Sequence, residues 1–334
     1  MNKAIVIAGP TGVGKTKISI DLASELNAEI ISSDSAQVYK GLNIGTAKIT
    51  ENETQGIKHH LIDIVEPISK YSVGNFEKDV NKILNQNPEK NFLLVGGTGL
   101  YINSVTNGLS ILPEADKKTR EYLSTLDNQT LLELALKYDE EATKEIHPNN
   151  RVRLERVVEV FLLTGQKFSE LSKKNIKNNN FKFLKIALER DRENLYDRIN
   201  KRVDIMFEQG LVDEVKNLYK IYGEKLYKLN IIGYNEIIDC INSKISLDEA
   251  RYRIKLNSRH YAKRQFTWFK VDKEYQWFNL DRISEQEIVK TIYTMFNIKA
   301  WFNTFYMILL KGRGVYYEKN YITYCNDFFV NIML

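Results

Sequence analysis

Eight residues near the start of the chain, Gly9-Pro10-Thr11-Gly12-Val13-Gly14-Lys15-Thr16, satisfy the spacing G-x-x-x-x-G-K-[ST] at every fixed position. The chemistry of such a run is phosphate binding. Its glycines let successive backbone N–H groups curl around phosphate oxygens, and the N-terminus of a following helix adds a favourable field. Lys15 brings a positive charge to the terminal phosphate, and the Thr16 hydroxyl is placed to ligate magnesium. The run binds a di- or triphosphate, ATP among the candidates. A second candidate is Asp34 in IISSDSAQVYKGLNIGTAK, a carboxylate able to assist a metal ion or take a proton from a nucleophile. Ser35, Gln37 and Tyr39 surround it with hydrogen-bonding groups, and Gly45-Thr46 suggest a tight turn. A lone Asp after a strand is commonly a turn former or a helix cap; its place beside a phosphate site favours chemistry here.

The elements that must hold these residues can be read from the pattern of apolar runs. Lys3–Ala8 (KAIVIA) is a short strand and Lys15–Leu26 an amphipathic helix. Further apolar runs follow at Glu29–Ser32, around His60–Ile64, and at Phe92–Val95, the last ending in Gly96-Gly97. Strands alternating with helices predict an α/β fold, a P-loop NTPase-like parallel sheet flanked by helices. Ligands in such sheets bind beyond the carboxyl ends of the strands, which is where the P-loop and Asp34 fall.

From Pro113 to Leu171 the pattern is helical, with no clear strand. LLELALKYDEEATKEI and RVRLERVVEVFLLTG carry apolar residues three and four apart. Lys173–Asn180 (KKNIKNNN) reads as a surface loop, and FKFLKIALE as a strand returning to the sheet. The expected domains are therefore a core from residues 1–112 and 182–290, an all-helical insertion domain at 113–181, and an aromatic-rich extension at 291–334 with no assigned role. In the core, Asp191 can cap a helix running to about Tyr222. Ser246-Leu247-Asp248-Glu249 has the form of a capping box opening another that reaches about Phe269.

Composition bounds the function loosely. The 334 residues are 43% hydrophobic and 27% charged, with 48 basic against 43 acidic side chains, a net +5. That balance permits a polyanionic partner without requiring one. Two cysteines, Cys240 and Cys325, give neither a metal spacing nor a disulfide framework, so a reducing cytoplasm is expected. Neither a signal peptide nor a membrane span is read: the apolar run Ala300–Leu310 is short of the roughly 20 residues a spanning helix needs. His59, His60, His147 and His260 show no metal-ligand spacing and read as structural.

The P-loop alone leaves the reaction open. A GTPase should add a guanine-reading N-K-x-D, and a motor ATPase an apolar strand ending in paired acids; neither is present. Group-transfer enzymes on a compact P-loop core survive. GPTGVGKT, DSAQVYKGLNIGTAK, HHLIDI, LLVGGTGLYI, HPNNRVRLERVVEVFLLTG, IIGYNEI and KRQFTWF, in that order and spanning about Lys3 to Leu280, closely resemble the tRNA dimethylallyltransferases (tRNA isopentenyltransferases) of bacterial type. The match is looser near Asn149–Arg151, and the tail after about Ile298 has no counterpart.

The resemblance implies that Gly9 to Thr16 hold the diphosphate of dimethylallyl diphosphate, with magnesium on Thr16. Thr98 and Arg202 would join Lys15 and Thr16 in managing the leaving group. Asp34 would be the base toward the exocyclic amine of the adenosine 3′ of the anticodon. Contacts to the tRNA anticodon stem-loop would come from Asp34, Ser35, Ala36, Gln37, Gly99, Arg120, Arg153 and Arg156, with Ser35 and Gln37 reading the flipped adenine edge. Arg151, Lys173 and Lys174 add to the basic character of the insertion. Arg251, Lys255, Arg259 and Lys263, four residues apart on one helix face, read equally as a tRNA contact or a solvent face. A monomer in the cytoplasm is expected. Two rivals share the core: the same transfer onto a free adenine nucleotide, and a small-molecule kinase using Asp34 on a hydroxyl. A nucleotide-gated RNA-binding protein without catalysis is a third, disfavoured by the intact Lys15, Thr16 and Asp34 set.

Overall fold

The computed structural model describes residues 2–297 apart from Lys174 and Asn178. The aromatic tail, its apolar run, Cys325 and Lys174 thus lie outside the described residues. Along the chain run β1 (Lys3–Ala8), α1 (Lys15–Leu26), β2 (Ala28–Ser33), β3 (His59–His60), α2 (Val73–Gln86), β4 (Asn91–Gly96), α3 (Gly99–Thr106) and β5 (Leu109–Ser110). Next come α4 (Lys117–Thr125), α5 (Asn128–Tyr138), α6 (Glu140–Lys144), α7 (Arg151–Thr164), α8 (Phe168–Leu171), β6 (Asn175–Ile176) and β7 (Lys182–Glu189). The last are α9 (Arg192–Glu208), α10 (Leu211–Tyr222), α11 (Glu224–Tyr227), α12 (Tyr234–Ile241), α13 (Leu247–Val271), β8 (Gln276–Asn279) and α14 (Glu285–Asn297).

Of the described residues, those up to Ile102 together with those from Asn179 to Asn297 form one unit, and those from Asn103 to Lys177 form a second. In the first, six strands make a sheet in the order β3-β2-β4-β1-β7-β8, every pair parallel. β1 is central: Ala4 to Ala8 are all buried, as expected of a strand covered on both faces and therefore apolar without alternation. Ile5, Ile7, Leu93, Ile186 and Leu188 from three neighbouring strands pack with α1, α9 and α14 through Ile18, Leu22, Ile199 and Ile292. A second cluster joins Val38 and Leu42 to α9, α10, α12 and α13 through Val203, Leu211, Ile237 and Ile254. Because all strands run the same way, the segments after β1, β2, β4 and β7 emerge at one sheet edge.

Four local readings change. The strand expected at His60–Ile64 stops at His60, because Leu61 and Asp63 take left-handed φ of 61° and 55°. The single helix expected from Asp191 to Tyr222 is two, broken at Gly210 with φ 97°. Asp191 makes no side-chain cap; its Oδ1 accepts from Asn279 Nδ2 at 3.1 Å instead. Ser246 does cap α13 by accepting from Glu249 N at 3.1 Å, but the Glu249 carboxylate turns to Arg253 at 2.6 Å rather than closing a box.

The second unit packs α4, α5 and α7 around Leu123, Leu131, Leu154 and Val158. It is not wholly helical. Leu109–Ser110 pairs antiparallel with Asn175–Ile176, so part of the Lys173–Asn180 stretch read as loop is strand. Gly108 makes this approach possible: a Cβ there would lie 2.2 Å from Ile176 O. Strands of two residues are too short for any periodicity to reveal.

Candidate active site

The P-loop leaves β1 at Gly9, whose φ is 151° and whose hypothetical Cβ would meet Leu188 O at 2.7 Å. Only glycine lets the chain turn this close to β7. α1 then starts at Lys15 with Gly14 at its N-cap and no side chain on its first-turn N–H groups, which leaves those donors directed toward the loop's mouth. Lys15 Nζ donates to Gly9 O and Pro10 O, both at 2.9 Å. Burial first and the nearby Arg202 second bring its pKa down to about 7, against an opposing pull from Asp34.

Three arginines fasten the loop from outside. Arg190, just after β7, donates from Nε to Val13 O at 2.9 Å, and Arg198 from Nε to Gly12 O at 2.9 Å. Arg202, one turn further along α9, reaches Thr11 Oγ1 at 3.4 Å and Thr46 O at 3.5 Å. Burial lowers the Arg202 pKa, Asp34 works the other way and Arg198 adds to the lowering. Of these, Arg190 and Arg198 carry no sequence motif and escape a reading by pattern; Arg198 could be found only from its i, i+4 spacing to Arg202.

Asp34 follows β2 directly. Its Oδ1 accepts from Ala36 N at 2.9 Å and Gln37 N at 3.3 Å, a local turn that fixes the carboxylate's direction. Thr98, after β4, is held by its own N–H to Ser33 O at 3.2 Å, and its Oγ1 accepts from Ser35 N at 3.1 Å. The acid and threonine segments are thus tied edge to edge. Gly96 allows the β2–β4 approach, since a Cβ there would lie 2.2 Å from Ser33 O. Gly99 packs against the Trp268 indole, where a Cβ would meet Cδ1 at 2.1 Å.

Two cavities meet this edge. One of about 500 Å³ is lined by Lys15, Thr16, Asp34, Gln37 and Arg202, with apolar walls from Ile30, Ile44, Ile49 and Ile205. The other, about 590 Å³, is lined by Thr11, Asp34, Ser35, Ala36, Tyr39, Tyr71, Tyr101, Asn257, Tyr261, Arg264 and Arg202. Asp34 and Arg202 belong to both. The Gln37 amide nitrogen is engaged with Thr46 O and Ala47 O at 3.3 and 3.4 Å, and its oxygen accepts from Ser32 Oγ at 3.3 Å, so this side chain braces the 46–47 turn. That turn is held from the other side by Glu214, which accepts from the backbone N–H groups of Asn43, Ile44 and Gly45 at 3.0, 2.7 and 3.1 Å and from Tyr234 Oη at 2.6 Å. Tyr234 is the tyrosine of IIGYNEI, and Gly45 leaves room for its ring.

Most of the remaining basic candidates are already partnered. In the second unit Arg120 donates to Glu159 at 2.8 and 3.1 Å, and Arg156 to Glu159 at 2.7 Å and to Pro113 O at 2.7 Å. Glu159 is buried; that burial pushes its carboxyl up, and the two arginines outweigh it to leave the pKa below its ordinary range. Arg153 is exposed on α7, and Arg151 pairs with Glu155 at 2.7 Å. In the first unit, Lys255 bonds Asp204 at 2.7 Å, Arg251 lies 3.5 Å from the same carboxylate, and Arg259 donates to Asn200 at 2.6 Å. Two of the four stripe cations are therefore paired with an α9 carboxylate, and Arg259 bonds a neutral α9 amide. His60 bonds Glu29 at 2.6 Å and His59 the Ile57 carbonyl at 2.8 Å. Among the described residues no group of three or more His, Cys, Asp or Glu could hold a metal, and no helix is long and apolar enough to cross a membrane.

A parallel sheet with a P-loop, an acid after the next strand in sequence and a cationic helix over both defines a P-loop-like α/β group-transfer enzyme. The family model described as IPP transferase matches residues 37–272. The chain is 91% identical over 300 residues to a tRNA dimethylallyltransferase of Fusobacterium nucleatum, covering 90% of this chain and 99% of that one. Among solved structures, a tRNA delta(2)-isopentenylpyrophosphate transferase of Staphylococcus epidermidis is 39% identical at a TM-score of 0.65, over 89% of this chain and 99% of that one. A eukaryotic dimethylallyltransferase acting on tRNA is 28% identical at a TM-score of 0.77, over 89% and 80% of the two chains. The chain belongs to the IPP transferase family.

Proposed function

We infer that the chain joins the dimethylallyl group of dimethylallyl diphosphate to the exocyclic amine of the tRNA adenosine 3′-adjacent to the anticodon, releasing pyrophosphate. The single observation that carries the assignment of roles is that Asp34 and Arg202 line both cavities while Lys15 and Thr16 line one of them. The donor takes the cavity that combines the P-loop side chains with isoleucine walls, since a diphosphate needs cations and a five-carbon chain needs apolar surface. The adenine, extruded from the anticodon loop at a cost of a few kcal/mol, takes the cavity lined by Ser35, Ala36 and several tyrosines.

In the reaction the allylic C–O bond breaks and its electron pair leaves with pyrophosphate, a C–N bond forms, and the amine loses a proton. Lys15, Arg202 and the α1 amides stabilise the departing charge, and Thr98 holds the opposite side of the diphosphate. Asp34 takes the proton; an adenine amine is a weak nucleophile because its lone pair is delocalised, so proton removal during attack is useful. Thr16 is exposed at the cavity wall, and one hydroxyl with a carboxylate nearby suits a magnesium ion that keeps most of its ligands as water and phosphate oxygen. Such an ion, held by Thr16, would supply further neutralisation of the diphosphate.

The test is to incubate purified protein, magnesium and dimethylallyl diphosphate with unmodified tRNA and, separately, with AMP, and to weigh the digested nucleosides. A five-carbon unit on adenosine from tRNA alone is the expected result. A product from AMP alone would make the acceptor a free nucleotide. No added mass, with ATP-dependent phosphorylation of a metabolite, would make the P-loop a kinase site.

A further inference from the structure

Gln265, in the middle of α13, uses both ends of its amide on two different loops. Its Oε1 accepts from Thr11 N at 2.8 Å, within the P-loop, and its Nε2 donates to Gly97 O at 2.9 Å, in the turn after β4. The side chain is buried, 7% exposed, and it fits tightly: a Cβ on Gly97 would lie 2.1 Å from Nε2. Tyr261, one helical turn earlier, lines the cavity beside Thr11 and Asp34, and Trp268, one turn later, packs on Gly99.

We propose that Gln265 is a positioning residue that sets the distance between the two phosphate-holding loops. It rests on the reading that the P-loop and Thr98 grip one diphosphate from opposite sides. The Thr11 N–H, which a P-loop could otherwise turn toward an anion, is committed to Gln265. Thr11 Oγ1 is within reach of Arg202 on one side, and Gly97 precedes Thr98 on the other, so one amide fixes both walls of the grip. The direction of the amide matters: the acceptor must face Thr11 and the donor must face Gly97. A carboxylate meets only the first requirement, and a thioether of similar volume meets neither well.

Gln265→Met and Gln265→Glu in the full chain test this. Both are expected to melt within about 5 °C of the parent, to lose kcat by about a hundredfold as the grip loosens, and to keep the parent KM for tRNA. The Gln265→Glu variant carries a further signature. Once protonated, the introduced carboxyl can again donate to Gly97 O. The ratio of that variant's kcat to the parent's should therefore rise as pH is lowered from about 8 to about 6, burial raising the carboxyl's pKa into that window. A folded Gln265→Met variant with kcat within about threefold of the parent overturns the proposal, and so does a Gln265→Glu ratio that does not change with pH. Should neither variant fold, amide exchange on the parent decides. The Thr11 N–H should be protected without pyrophosphate and unchanged by adding it; exchange at the rate of a free amide overturns the proposal. Thr98→Ala and Lys15→Ala are the controls for the underlying site: if both keep full turnover, the diphosphate reading fails, whatever Gln265 does.

Discussion

Two arginines of the P-loop edge, Arg198 and Arg202, and those of the second unit are the same residue type put to opposite use. Arg198 and Arg202 spend their hydrogen bonds on loop carbonyls and a threonine hydroxyl, with Asp34 the anionic group acting on Arg202, whereas Arg190 is also paired with Asp281. Arg120 and Arg156 face a buried carboxylate, Glu159, that neutralises much of their charge and ties α4 to α7. A guanidinium bonded to neutral acceptors still projects a field at a phosphate, whereas one paired with a carboxylate mostly holds structure. Arginine in a candidate binding stretch is therefore weak evidence until its partner is known.

The largest expected effect is at the carboxylate that acts on Arg202. Asp34→Ala should lose about a hundred- to ten-thousandfold in turnover with pyrophosphate affinity largely kept, and near-parental turnover would remove it as the base. Arg202→Ala should cost about a hundred- to a thousandfold in kcat with little change in melting temperature, where Arg156→Ala should do the reverse; equal effects on both would erase the distinction.

Lys15 sharpens the point through pH. With its pKa brought down to about 7, the ammonium is mostly neutral at pH 8 in the free protein, and a bound diphosphate restores its charge. Compared with a Lys15→Ala variant, so that protons exchanged by pyrophosphate itself cancel, pyrophosphate binding by the parent should then take up close to one more proton at about pH 8 and few more at about pH 6, read by calorimetry in buffers of different ionisation enthalpy. No excess uptake by the parent at pH 8 would contradict the assignment.

The smallest predicted effect on chemistry is at Glu159. Glu159→Gln should destabilise the protein by about 3 kcal/mol, measured by urea unfolding, while the folded fraction keeps its kcat for transfer to tRNA. Because the Glu159 carboxyl is held below its ordinary range, its contribution is present above the ordinary carboxylate pKa. It is lost as pH falls through the lowered one. A stability difference between parent and variant that grows on acidification would be the wrong sign.

Much of the candidate site was legible without a structure. The P-loop spacing, the apolar strand before it and the helix after it are local facts of order and periodicity, so β1 and α1 fall where the sequence places them. Asp34 is placed by the short strand before it, and the parallel fold follows from alternation. The short strands β5 and β6 were not legible, since two residues carry no period, nor was the break at Gly210 in a run otherwise helical throughout.

What the sequence determined by itself is which residues leave the strand ends: phosphate loop, acid and threonine, each fixed by covalent order. What only the tertiary structure decided is what each side chain touches once there. That Gln37 is engaged with a backbone turn, that Glu159 neutralises two arginines, and that Gln265 bridges Thr11 and Gly97 all depend on pairings across tens to hundreds of residues or on the local direction of a turn. Periodicity reports which face of an element is buried; it does not report which hydrogen-bonding group lies opposite.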